Sequence, residues 1–242
     1  AIPMGPFQVS PTSINFDLLE DGEYQESFFQ IANYDSIDAE FLVSSIELSN
    51  IDLAQILSLS TFEDGSLGDF ENITNLNGEW VVGDSASNSS EFLPFPEPLD
   101  GSSNFALYND DAAGEDLANA ANPMLFSNSI ENDDQPSLLV FDLYFPNPSG
   151  SCVDGGPYSE DFKVKVSTDD GVSWTVLDST ISTGWYWSSH MYNLEPYVLN
   201  FSSYRIGFEY SDCGGNWGYG VALDKVAICL LYTSDAADEI TG

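Results

Sequence analysis

Residues 161–174 read DFKVKVSTDDGVSW, and residues 137–145 read SLLVFDLYF. In 162–166, Phe162, Val164 and Val166 fall on one face and Lys163 and Lys165 on the other. That period of two is the mark of a half-buried strand. STDDGVSW (167–174) then replaces strand chemistry with a run of Ser, Asp and Gly, the residues of a tight turn. RIGFEY (205–210) repeats the alternation, with Ile206, Phe208 and Tyr210 set against Arg205, Gly207 and Glu209. SLLVFDLYF is apolar at nearly every position, as a central strand covered on both faces requires. Helix-like spacing is confined to EDLANAAN (115–122) and SNIDLAQIL (49–57). The rest is short β-rich runs between Gly, Asn, Asp, Pro and Ser clusters. The pattern predicts an all-β chain folded as an antiparallel β-sandwich.

The chain has 242 residues, long enough for one large domain or two small ones. It carries 40 acidic residues against 4 basic, a formal net charge of −36. Such a surface repels phosphate backbones and anionic membranes, which argues against nucleic acid as a partner. No apolar run is long enough to span a bilayer, so membrane insertion is not expected. Screening by a salty exterior, divalent-cation binding and selection for solubility each account for the charge. The clustering of acids in turns favours the first two.

Before residue 56, QVSPTSINF, FFQIAN and FLVSS resemble the opening of the immunoglobulin-like modules of large secreted bacterial proteins. Residues 1–55 are therefore read as a partial immunoglobulin-like β segment. After it, a longer series of motifs follows: TFEDGSLGDF (61–70), GEWVVGD (78–84), SSNFALYNDDAAG (102–114), SLLVFDLYF, DFKVKVSTDDGVSW, GWYW (184–187), YRIGFEYSD (204–212) and NWGYGVALDKVAI (216–228). Their order resembles the jelly-roll family of cleaved-adhesin, choice-of-anchor and MAM-like domains, found in secreted and surface proteins of the Bacteroidetes type. The resemblance implies a jelly-roll β-sandwich over residues 56–228. Residues 229–242 depart from it. CLLYTSDAADE (229–239) resembles one reading frame of a sequencing-library adapter, and the tail is expected to lie outside the domain.

Within this frame the candidate residues take their places. STDDGVSW fits an Asp-box turn in which Asp169 accepts backbone hydrogen bonds, Gly171 takes a positive φ and Trp174 packs beneath. A single copy points to a structural turn. The resemblance implies structural calcium near FEDG, YNDDAAG and ALDKV, with Glu63, Asp110, Asp111 and Asp224 as candidate ligands, since calcium takes several hard oxygens. The same acids also read as turn formers on an acidic surface. Cys152 and Cys213 lie in Gly-rich loops flanking strands of one sandwich and are expected to form a disulfide, in keeping with an oxidising exterior. Setting aside Cys229 in the tail leaves this even pair. Trp185, Trp187, Tyr192, Trp217 and Tyr219 are candidates for a sugar-stacking platform, and equally for core. His190, the only histidine, reads as a loop residue rather than a general base.

No nucleophile elbow, zinc-protease motif or phosphate loop is present in the sequence, and no carboxylates occur at the E-x-D-x-x-E spacing of jelly-roll glycosidases. The expected function is a noncatalytic accessory or adhesion module of a larger secreted or cell-surface protein. It would be stabilised by calcium and present loops to a polysaccharide or a cell-surface protein. A structural spacer attached to a secreted hydrolase such as a protease is the alternative. A glycoside hydrolase is the third reading.

Overall fold

The computed structural model describes residues 7–10, 30–33, 56–73, 79–91, 93–98, 101–113, 122–132, 137–148, 150–154, 159–179, 182–214 and 218–230. The chain divides into two compact units, Ala1–Ser49 and Asn50–Gly242. In the first, β1 (Phe7–Ser10) pairs antiparallel with β2 (Gln30–Asn33), Phe7 opposite Asn33. This pairing sets the VS of VSP beside QIAN. The other strands expected there lie outside the described residues.

The second unit is built from β3 (Ile56–Ser60), β4 (Phe70–Ile73), β5 (Val81–Asp84), β6 (Asn104–Asn109), β7 (Met124–Ser127), β8 (Ile130–Glu131), β9 (Ser137–Tyr144), β10 (Asp161–Ser167), β11 (Thr175–Asp178), β12 (Trp187–Asn193), β13 (Ser203–Ser211) and β14 (Gly220–Leu230). Among the described residues three single-turn α-helices interrupt them, α1 (Ser85–Asn88), α2 (Asp110–Ala113) and α3 (Glu195–Val198). One sheet has the order β11-β10-β13-β7-β4, with β8 also on β13. The other has the order β12-β9-β14-β6-β5, with β3 also on β14. Every pairing is antiparallel, and the two sheets pack as a β-sandwich.

The alternation read in the sequence decides which side chains meet between the sheets. Phe162, Val164, Ile206, Phe208 and Tyr210 of one sheet and Leu139, Phe141, Leu143, Val221 and Leu223 of the other are all buried. Phe141 meets Phe208 edge-on at 5.1 Å and Tyr108 meets Tyr210 at 5.2 Å. The strands β6 and β9 are apolar on both faces because residues 93–95 cover the outer one. There Leu93 and Phe95 close over Phe105, Leu107, Tyr144 and Trp187.

Two expectations are corrected here. Ile56 and Leu57, the end of the helix-like 49–57, lie in β3, where Ile56 pairs with Cys229 and Ser58 with Ile228. A short helical spacing does not outweigh an unpaired neighbouring strand edge. Residues 49–55 and 114–121 lie outside the described residues. The domain was read as ending at Ile228. Instead β14 runs on through the buried Cys229 and Leu230, which face Leu138 and Ser137 of β9.

Candidate functional site at the loop end of the sandwich

Six strand ends converge at one end of the sandwich. The registers place Asn109 of β6 opposite Gly220 of β14, Asp161 of β10 opposite Ser211 of β13, and Trp187 of β12 opposite Tyr144 of β9. Phe145 meets Phe162 across the sheets at 5.8 Å. The connecting loops therefore share this end. Cys152, in the 3₁₀ turn Cys152–Asp154, is joined to Cys213, just beyond β13, by a disulfide that closes 61 residues of sequence. The expected pair forms, and it ties two of the converging loops together. Cys229 is a free, buried thiol in β14.

Beneath these loops lie two buried carboxylates. Glu160 is fully buried, and its Oε1 accepts hydrogen bonds from Tyr210 Oη (2.6 Å), Tyr219 N (2.7 Å) and Gly220 N (2.9 Å). Asp110, 3% exposed, accepts from Gly218 N at 2.7 Å through Oδ2. Burial pushes both carboxyls up to about 7, against the lowering effect of these donors. Asp212 adds its negative charge to both. A Cβ on Gly218 would stand 2.8 Å from Asp110 Oδ2 and 2.9 Å from Glu160 Oε1, so the backbone passes close to both acids only because this residue is glycine. Glu160 and Asp212 escape a reading of the sequence, since nothing in their spacing distinguishes them among 40 acids. The adjacency of Asp212 to Cys213 is the one available signal.

The four acids grouped as calcium ligands do not meet. Asp110 and Asp111 follow the C-terminal end of β6, and both backbone N–H groups donate to Tyr219 O (3.2 and 3.4 Å). Glu63 stands at the other end, accepting from Ser103 N and Asn104 N at 2.9 Å each. The extended strand between, Asn104 to Asn109, spans roughly 17 Å. Asp224 belongs with Glu63. It is fully buried, accepts from Ser102 Oγ at 2.7 Å, and sits at a bulge where Lys225 takes φ 50°. Among the described residues, no three His, Cys, Asp or Glu side chains converge as a metal-binding group.

The aromatic candidates separate as well. Trp185 and Tyr219, both half-buried, meet edge-on at 5.3 Å at the loop end, beside the exposed Tyr186. Trp187 is core. It packs on Phe105 and Tyr144 and donates from Nε1 to Pro96 O at 2.8 Å. Tyr192 lies five residues further along β12, stacked on Phe141 and bonded to Asp178 Oδ2 at 3.1 Å. Strand alternation turns it inward, away from Trp185. Trp217 lies outside the described residues. His190 is corrected from loop to strand: it stacks on Phe141 at 5.5 Å, and burial lowers its pKa.

The Asp-box turn forms as read. Asp169 accepts from Ser173 N and Ser167 Oγ, each at 2.8 Å, Gly171 has φ 89°, and Trp174 Nε1 donates to Gly171 O at 3.1 Å. The hydrogen bonds from Ser173 lead in holding the Asp169 carboxyl down at about 2.

No family model matches the chain, and no curated protein is significantly similar to it. Several solved structures are similar. The K1 cleaved adhesin domain of Lys-gingipain from Porphyromonas gingivalis W83 is 14% identical, with 72% of this chain and 98% of that one covered and a TM-score of 0.48. The K2 cleaved adhesin domain of Lys-gingipain is 13% identical over 72% and 98%, also at 0.48. TmCBM61, solved in complex with β-1,4-galactotriose, is 13% identical over 71% and 94%, at 0.44. The fold class rests on the sheets themselves.

Proposed function

We propose that the second unit is a noncatalytic binding module of a larger extracellular protein, and that it meets a polysaccharide or a cell-surface protein with its loop end. The observation that carries this reading is the Trp185–Tyr219 pair with Tyr186 exposed beside it, at the end of the sandwich where Cys152–Cys213 links two of the loops. Aromatic faces held on a rigid scaffold suit stacking against a sugar ring or a partner side chain. Asp110, a carboxyl raised to about 7 that a hydrolase would need within reach of substrate, is instead buried against Gly218 N–H. The disulfide suits an oxidising exterior.

Calcium belongs to the same proposal, on a smaller set of residues than the sequence grouped. Glu63, Asp224 and the hydroxyl of Ser102 are hard oxygen donors gathered by the turn at 101–104, and this donor chemistry fits calcium. Asp224, a fully buried carboxylate, is the residue whose charge a cation would offset. Calcium would supply structural cross-linking of β14, the Glu63 turn and the 101–104 turn.

The test is a glycan array together with a panel of surface-protein ligands. Reproducible binding that Trp185→Ala or Tyr219→Ala weakens at least tenfold, with the melting temperature retained, supports the module. Binding to nothing on either panel replaces it with the spacer reading. Turnover of a glycan lost on changing one carboxylate would replace it with a hydrolase.

A further inference from the structure

We infer that the cleft beside Glu160 is a binding site for the basic side chain of a polypeptide partner, a lysine-type alkylammonium or a guanidinium. The cleft is half-open, has a volume of about 290 Å³, and is lined by Asn147, Asp154, Glu160 and Asp161 with Phe145 and Phe162 behind. Its dimensions are those of a small ligand pocket rather than of a cage for a bare ion.

Three observations choose the ligand chemistry. The first is a buried acid with no cation beside it. Glu160 is fully buried, yet the chain's four basic residues are all engaged elsewhere: Lys163 and Lys165 with Glu209, Arg205 with Asp170, and Lys225 with Asp142. A buried carboxylate is costly unless a cation or donors meet it.

The second is a set of waiting acceptors. Glu160 Oε2 and Asn147 Oδ1 are buried and have no hydrogen-bond partner among the described residues. Glu160 Oε1 is already held on the side of Tyr210, Tyr219 and Gly220, none of which lines the cleft. Asn147 is tied to the same wall by donating from Nδ2 to Glu160 O at 2.9 Å. Two unpaired acceptors on residues that line one cleft call for a ligand with several N–H donors, which ammonium and guanidinium groups are.

The third is the rim. Asp154 and Asp161 add negative charge there, while their inner oxygens are fixed by Ser151 N and Cys152 N at 3.0 Å each. The disulfide at Cys152 ties that wall to the end of β13. A bare metal ion is the poorer occupant, since the cleft is larger than one ion and the carboxylates that line it are not arranged as a metal-binding group. A polypeptide is the source this chemistry favours. A basic segment would be drawn to a surface of net charge −36, and a lysine stem can enter a cleft of this depth.

The experiment is an NMR titration of the isotope-labelled full chain with Nα-acetyl-lysine methylamide at low salt. It follows the Glu160 side-chain carboxyl and the Asn147 side-chain amide. The expected result is saturable shifts at both, with affinity on the order of millimolar, weakened by added salt and absent with the neutral Nε-acetylated probe. Glu160→Gln should weaken binding by about tenfold or more. Asp154→Asn, at the exposed rim, keeps the inner wall and should weaken it a few-fold, which covers the case in which Glu160→Gln perturbs folding. No saturable shift, unchanged affinity in both variants, or saturation by calcium chloride with no response to the lysine probe each overturns the assignment. None of these outcomes depends on the aromatic pair, so failure here leaves the glycan and surface-protein test standing.

Discussion

Glu160 Oε1 receives three hydrogen bonds that favour a carboxylate, in surroundings that disfavour any charge. Burial wins, and the carboxyl stands near 7 together with that of Asp110. Both values are raised above their unfolded ones. The stabilising contribution is therefore full below about pH 4 and is lost as pH rises through about 7. Urea midpoints at pH 5 and pH 8 should show the domain weaker at pH 8, and the difference should shrink in the Asp110→Asn/Glu160→Gln variant. An unchanged difference would remove these two residues as the cause. Gly218→Ala should cost about 1–3 kcal/mol, because its methyl group would crowd Tyr210 Oη and both carboxyl oxygens. Trp187→Ala should cost about 3–5 kcal/mol and Trp185→Ala less than about 1 kcal/mol, by the same denaturant measurement. The two tryptophans stand two residues apart in GWYW and look alike in the sequence. What separates them is the seat of Trp187 on Phe105 and Tyr144 with its Nε1 bonded to Pro96 O, contacts from residues far away in sequence. The roles of Asp169, Gly171 and Trp174, by contrast, could be read directly, because the turn's hydrogen bonds close within a few residues.

Among the elements, β10 and β13 carry their orientation in their own residues: Phe162, Val164, Val166, Ile206 and Phe208 point inward wherever the strands are placed. β3 does not. Ile56 and Leu57 are strand because β14 offers them an edge, and β14 reaches Leu230 because β9 is long enough to pair with it. The loops at the far end depend on a covalent link. Exchanging Cys152 and Cys213 for serine should lower stability by about 4 kcal/mol in the chain-entropy account, for a closed loop of this length. Thermal or urea melts of the oxidised and reduced protein check this. A loss near zero would mean that the loops are already ordered by Glu160, Asp161 and their backbone partners. The four acids grouped by motif separate for an element-scale reason: β6 is extended, so its two ends cannot share one ion.

For the whole molecule the dominant fact is a charge of −36. Self-repulsion of that size destabilises the compact state and is relieved by screening. The melting temperature should therefore rise with sodium chloride between low and roughly physiological ionic strength. At fixed ionic strength, millimolar calcium should raise it further over excess chelator. Glu63→Gln/Asp224→Asn should abolish the calcium increment while leaving the salt response. Equal melting temperatures in calcium and chelator would remove calcium from the proposal. Composition and alternation by themselves determined that this is an antiparallel β-sandwich with an acidic surface, because charge and side-chain period belong to the chain before it folds. Which acids are neighbours, which tryptophan is core and where a buried carboxylate has no cation beside it were decided only by the tertiary structure. Those properties arise from contacts between residues distant in sequence, and only the packing of two sheets brings such residues together.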